Sequence, residues 1–398
     1  MARLLGWALA LTAVAGLVAA LALSLYRAQG EVTAPVPPPA PPPQQASASP
    51  TPAPAPSPTP LPRVLNPRTR PQDFHAGAAV LLYGTYRGWQ DDLVGLYADL
   101  AGRGVNALSL NFPVYTASAT ADAVYAGPGT PGDADLTFAI ETAHAMGFTV
   151  FLRPLLSFDP GYVAPSGEWR GSIRPASLDA WFASYGSLLG HYARLGQATG
   201  VEMLSIGAEL KSLSPYSERW RGLIAQLRSL YRGQLTYSAN WDELDRVAFW
   251  DALDIIAVDA FFDLQVGAGP TVAELVAAWG RPSYVESPAA AMQRLNAAYG
   301  KPVLLAELGM PARSGFERHP WADAGPGPAT AADLEAQARY FEAAFLANEV
   351  PHVQGFYVWA ISPGEFRSPS NEGAAYNPWG RPAGEVIARY YRARTSAP

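Results

Sequence analysis

Hydropathy divides the chain into three stretches. From Leu4 to Tyr26 it is apolar and uncharged, roughly the twenty residues a helix needs to cross a bilayer. From Thr33 to Pro62 it is almost entirely Pro, Ala, Ser and Thr, a composition that builds no core and favours extended polyproline II, a semi-rigid stalk. From about Val64 onward short apolar runs alternate with longer segments of helical period, the pattern of repeated β-α units and a parallel sheet.

The runs that read as strands are Ala78 to Tyr83, Ala107 to Asn111, Thr149 to Pro154, Met203 to Gly207, Leu235 to Asn240, Ile255 to Asp259, Val303 to Glu307 and Phe356 to Ala360. Between them, Leu178 to Leu195 and Leu334 to Asn348 carry apolar residues at three- and four-residue spacing, as amphipathic helices do. Eight strands, each followed by a helix, is the count of a closed (β/α)8 TIM barrel. The alternative is a doubly wound open sheet. Against it, the turn after the first strand, Tyr83-Gly84-Thr85-Tyr86-Arg87-Gly88, has neither the dinucleotide fingerprint nor the P-loop lysine. The expected organisation is therefore an α/β protein: a signal anchor or transmembrane segment over 1–30, a Pro-rich linker over 31–62, and a (β/α)8 domain over 63–395.

The first segment exceeds the apolar region of a cleavable signal peptide, about 7 to 15 residues. Arg3 precedes it, whereas Arg27 and Glu31 follow and nearly cancel, so the N-terminus is expected in the cytoplasm and the rest outside. Ala20 and Ala22 offer a cleavage pattern, and secretion after cleavage is the alternative to a single-pass membrane protein.

Composition removes several classes of function. The 398 residues carry a formal charge of −6 with no basic stripe, so nucleic acid is not an expected partner. With no cysteine there is no disulfide, thiolate metal site or cysteine nucleophile. No two of the five histidines have the spacing of a helical zinc-binding pair, and neither a metal nor any other cofactor is expected. Eleven tryptophans are an excess in a chain with few charges. Their flat faces suit stacking on sugars, although core packing accounts for most of them. A monomer is the expected state.

A barrel of this kind places its chemistry at the C-terminal strand ends. The fourth strand ends in Glu209 and the seventh in Glu307. Two carboxylates on opposite sides of a barrel mouth can flank one bond, as the acid and nucleophile of glycoside hydrolysis must. Asp259 ends the sixth strand and is read as a structural acceptor that orients its neighbours. Arg153, after the third strand, is expected either to hold a carboxylate or to bind hydroxyls. Asn240 and Trp241 end the fifth strand, where they read sugar hydroxyls and faces or else form a turn beside an anchoring ring. Trp169 is a candidate wall of the cleft, and Tyr83 stands at the same rim with core packing as its alternative.

Several segments, in order, resemble glycoside hydrolase family 113, within clan A of the retaining barrels. They are Glu168 to Ile173, Ile206-Gly207-Ala208-Glu209-Leu210, Leu235 to Trp241, Phe249 to Ile256, Lys301 to Gly309 and Phe356-Tyr357-Val358-Trp359. The resemblance implies hydrolysis of β-1,4-mannan or glucomannan with retention, Glu209 as acid/base, Glu307 as nucleophile, and Trp359 as the platform beneath the sugar being cleaved. A core tryptophan is the alternative for Trp359.

Three positions depart from the resemblance. Ala208 stands where the clan commonly has an Asn serving the sugar 2-hydroxyl, Phe261 where a Tyr is expected, and Leu155 where a His often follows Lys-Pro. These changes bear on specificity more than on the carboxylates. They keep open another β-linked glycan, such as glucan or xylan, as substrate. A non-catalytic glycan-binding barrel is the reading from a different class, and it has no need of the Glu209 and Glu307 pair.

Overall fold

The structure, a computed structural model, describes residues 74–395 apart from 166, 284–285, 326 and 368–374. The expected anchor over 1–30, the linker over 31–62 and the domain boundary at 63 lie outside the described residues. Among the described residues no helix is long and apolar enough to cross a membrane.

Eight parallel strands close in chain order into a barrel. They are β1 (His75–Leu81), β2 (Ala107–Thr116), β3 (Thr149–Phe158), β4 (Met203–Ala208), β5 (Gln234–Asn240), β6 (Ile255–Asp259), β7 (Val303–Leu308) and β8 (Val353–Ile361). The principal helices between them are α1 (Trp89–Gly102), α2 (Asp133–Ala145), α3 (Leu178–Thr199), α4 (Ser217–Arg228), α5 (Val272–Trp279), α6 (Pro288–Tyr299) and α7 (Ala331–Ala347). After β8 come the short α8 (Pro363–Arg367) and α9 (Pro382–Thr395).

Local chemistry sets the helix ends. At the start of α3 the Ser177 side chain accepts from the Ala180 N–H, and Gly200 ends the helix in the left-handed conformation, φ 73°. A capping box of Thr330 and Asp333 opens α7.

The strands differ from the expected ones mainly in length. β1 begins three residues earlier than its apolar run, at His75, and ends at Leu81, short of Tyr83. β2 and β3 run past Asn111 and Pro154 and pair without a break from Ala107↔Thr149 to Thr116↔Phe158. The polar residues and prolines that look like strand ends in sequence are paired here, and the two strands rise together above their neighbours.

Two hydrophobic layers hold the barrel. The outer one packs strands against helices; Trp181, Trp220, Trp250 and Trp279 are all fully buried there. The inner one fills the barrel with Ala107, Phe151, Met203, Ile255, Ala257, Leu304, Ala306 and Tyr357, side chains at alternate positions of their strands. Most of the excess of tryptophan thus belongs to the fold.

Candidate active site

Above that inner layer the strand pairing becomes irregular. Between β4 and β5 the register passes from Ser205↔Thr236 to Ala208↔Ser238, three residues facing two. Between β6 and β7, Val258↔Leu305 is followed by Asp259↔Glu307. Between β1 and β8, Ala78↔Val358 is followed by Val80↔Ile361. Each extra residue breaks the two-residue alternation and turns the next side chain to a new side. Ala306 already faces the barrel interior. The extra residue lets its neighbour Glu307 face inward as well, opposite Asp259. Glu209, just past β4, has φ 56°, a conformation that costs a residue with a side chain about 1–3 kcal/mol.

The two glutamates sit among a small set of charges. Glu307, 4% exposed, is ion-paired through Oε1 with Nη2 of Arg153 at 3.0 Å. The same Nη2 donates to both oxygens of Asp259, at 3.0 and 3.2 Å. Nη1 of Arg153 donates to Oδ1 of Asn111 at 3.2 Å and to the carbonyl of Ala306 at 3.3 Å. Asn111 is paired with Arg153 across β2 and β3, which sets it for this contact. Across the cleft, Oε2 of Glu209 accepts from Nη1 of Arg170 at 3.1 Å. Their side chains are 13% and 16% exposed, so both reach the surface of the cleft.

Arg153 and Asp259 have no exposed surface at all. They lie beneath the floor of the cleft, where they hold Glu307 and do not present hydrogen bonds to solvent. With every group ionised, three carboxylates face two guanidinium groups, so the cluster carries one excess negative charge in a buried place. Burial pushes the Glu209 carboxyl up to about 7; Arg170 pulls it down and Asp259 pushes it further up. Burial, reinforced by Asp259 and opposed by Arg153, raises Glu307 well above its ordinary value.

The remaining expected residues fall into two groups. Tyr83 belongs to the cluster: burial pushes its phenol up to about 12, with Arg170 opposing and Glu307 reinforcing the shift. Trp359 stands half-buried at the rim. Its carbonyl would lie 2.9 Å from a Cβ added to Gly309, two residues beyond Glu307, so glycine is required for this approach. Trp241 is half-buried and stacks on Trp321, ring centroids 5.0 Å apart at 26°. Asn240 is held in a local turn, where Oδ1 accepts from the Trp241 N–H and Nδ2 donates to Asp242. Trp169 folds back within its own loop, so close over Gly171 that a Cβ there would lie 2.3 Å from the ring.

Four residues near the site escape a reading of the sequence. Arg170 lies in the quoted Glu168 to Ile173 segment, but nothing in its spacing points to Glu209. Trp321 and His319, centroids 5.3 Å apart, come from the Gly- and Pro-rich loop after β7, where a tryptophan in such company was the available signal. Tyr376 comes from the loop after β8 and packs edge-on against Phe261 at 6.0 Å. Burial raises its phenol, and the Tyr340, Glu307 and Glu209 charges add to the effect. A tyrosine therefore stands beside Phe261 near Glu307, although its hydroxyl donates to the carbonyl of Pro320 at 2.5 Å.

Among the described residues no group of three or more histidines, cysteines, aspartates or glutamates is arranged to hold a metal ion.

The chain is similar to known proteins in both sequence and fold. The family model described as Glycoside Hydrolase Family 113 matches residues 90–379. A solved β-mannanase of that family from Alicyclobacillus acidocaldarius, in complex with ManMIm, is 29% identical with a TM-score of 0.69, over 81% of this chain and 98% of that one. A second solved structure, a β-1,4-mannanase of the family, is 25% identical with a TM-score of 0.67, over 81% of this chain and all of the other. No curated protein sequence matches.

Proposed function

The chain belongs to glycoside hydrolase family 113, a clan A family, and from that premise we propose that it hydrolyses β-1,4-linked mannan or glucomannan with retention, Glu209 acting as acid/base and Glu307 as nucleophile. The observation that carries the reading is the pair of glutamates at the ends of β4 and β7, each held by its own arginine. The substrate comes from likeness to structures described as β-mannanases.

In the first step Glu209 gives its proton to the departing glycosidic oxygen while a carboxylate oxygen of Glu307 bonds to the anomeric carbon. The Arg170 contact engages Oε2 of Glu209, leaving Oε1 for the proton. A raised pKa suits this role, because the group must be protonated near neutral pH and give the proton up in the transition state. In the second step water attacks the same carbon, Glu209 takes its proton, and the bond to Glu307 breaks. Arg153 and Asp259 act from beneath, keeping Glu307 aimed at the sugar. Trp359 serves as platform under the sugar, and Trp241 with Trp321 as an aromatic wall.

Another β-linked glycan as substrate is favoured by one observation. Ala208 has no amide to offer the 2-hydroxyl that distinguishes mannose from glucose, and Asn240 has its amide engaged in a turn.

Hydrolysis of mannan, glucomannan, xylan and β-glucan by the chain from Arg63 onward, with Glu307→Ala beside it, decides between these. Manno-oligosaccharides released only by the unmutated chain support the proposal. Glucan or xylan products move the substrate, and sugar binding without turnover on any of them overturns the catalytic reading. The apolar run at Leu4 to Tyr26 and the Pro-rich stretch after it support a further part of the proposal, a domain displayed outside the cytoplasm on a membrane-anchored stalk. Protection of the domain from protease added to intact cells would contradict that placement.

A further inference from the structure

The residue after Glu209 is held by a chain of buried polar groups that the proposed reaction does not use. The Leu210 N–H donates to the Tyr237 hydroxyl at 2.8 Å. That hydroxyl in turn lies 3.2 and 3.3 Å from the two carboxylate oxygens of Glu243. Glu243 is 1% exposed and also accepts the Asn240 N–H at 2.8 Å. One carboxylate thus ties the exit of β4, through Tyr237 and the Leu210 amide, to the exit of β5 at Asn240.

Burying a carboxylate is unfavourable unless donors meet it. Burial pushes Glu243 up to about 8, against the hydrogen bond from the Asn240 N–H, which pulls it down. The Tyr237 ring is fixed independently of its hydroxyl, with Trp220, Phe249 and Trp250 at centroid distances of 5.3, 5.6 and 6.4 Å. On its other side lies Gly207, where a Cβ would stand 3.0 Å from the ring. The hydroxyl is therefore aimed by packing at the one backbone amide that follows Glu209, whose left-handed conformation needs support.

We infer that Tyr237 and Glu243 are positioning residues for Glu209, their hydrogen-bonded relay fixing the backbone that sets its carboxyl against the leaving-group oxygen. The inference rests on the reading of Glu209 as acid/base. Neither side chain touches the reacting atoms; each acts through the Leu210 amide.

The test uses Tyr237→Phe and Glu243→Gln in the full chain, with Glu209→Ala as reference. A misplaced acid harms substrates whose leaving group needs a proton and spares those whose leaving group does not. The expected result is a fall of about tenfold or more in kcat/KM for mannotetraose, with kcat/KM for a dinitrophenyl β-mannobioside changed by less than about twofold. Glu209→Ala shows the same split more strongly. Equal losses on both substrates, or none on either, while Glu209→Ala retains the split, overturn the inference alone. The absence of a split in Glu209→Ala overturns the acid/base reading instead. Should Glu243→Gln fail to fold, Tyr237→Phe carries the test, since its ring remains packed. Hydrogen exchange at the Leu210 amide needs no substrate: faster exchange in Tyr237→Phe is expected, and unchanged exchange refutes the relay.

Discussion

The two levels of the barrel are built on different principles. In the filled interior, Phe151, Met203, Ile255, Leu304 and Tyr357 interlock, and the fold is held by the removal of apolar surface from water. At the C-terminal rim the register breaks in β4, β7 and β8, and the carboxylates there, Glu209 and Glu307, are held by Arg170 and Arg153. The interior is uniform and serves stability. The rim carries strained backbone and an excess buried charge, both of which lower stability and serve the site. Substitutions in the two levels should therefore separate stability from turnover.

Glu307→Ala should have the largest effect, on the order of a thousandfold or more in kcat, because the covalent route is removed. Its melting temperature should not fall, since the substitution also relieves a buried carboxylate. A drop in both would mean that Glu307 is part of the scaffold. Arg153→Ala should lose activity and stability together, by about 3–5 kcal/mol in chemical denaturation at neutral pH, because it strands the buried Asp259 and Glu307. By contrast, Met203→Ala in the interior should lower stability by about 2–5 kcal/mol and leave kcat/KM of the folded fraction close to wild type. A large kinetic effect at Met203 would erase the distinction between the levels.

The pH profile sharpens the same comparison. On the proposed mechanism Glu209 must be protonated and Glu307 ionised, so kcat/KM should decline as pH rises through about 7, where Glu209 loses its proton, and decline again on the acid side as Glu307 gains one. The sign for stability follows from linkage. The folded carboxyl binds its proton more tightly than the ordinary value of 4.5 implies, so its contribution to stability falls as pH rises from about 4.5 through about 7. Glu209→Gln should make that decline shallower in a series of melting temperatures, the remainder belonging to Glu307 and Glu243, whereas an unchanged decline would assign all of it to them. The smallest effect is expected at Asn240→Ala, within a few-fold in kcat/KM, because its amide is already engaged by Trp241 and Asp242. A hundredfold loss would place the amide on the sugar instead.

What the sequence reveals follows the same division. Ile255 to Asp259 reads as a strand to the residue, and Glu209, Asp259 and Glu307 are found because a charge ending an apolar run is a local signal. The ends read at Asn111 and Pro154 mislead, since β2 and β3 continue past them, paired with each other as far as Thr116 and Phe158. The extra residues in β4 and β7 cannot be read from the chain, because a bulge is a relation between two strands. For the same reason Arg170, Tyr376 and Trp321 escape: each meets a partner brought near only by folding, across 39 residues for Arg170 and Glu209. Arg153 is legible as a residue of the site but not as one buried beneath it, since burial depends on the loops above.

The central claim is that Glu307 forms a bond to the sugar. The most direct measurement is mass spectrometry of the protein after incubation with a deoxyfluoro mannosyl fluoride, which slows release of the intermediate, followed by peptide mapping. A single added glycosyl mass on the peptide containing Glu307, absent from Glu307→Ala, is the predicted result; an adduct on another carboxylate, or turnover with inverted product and no adduct, would contradict it.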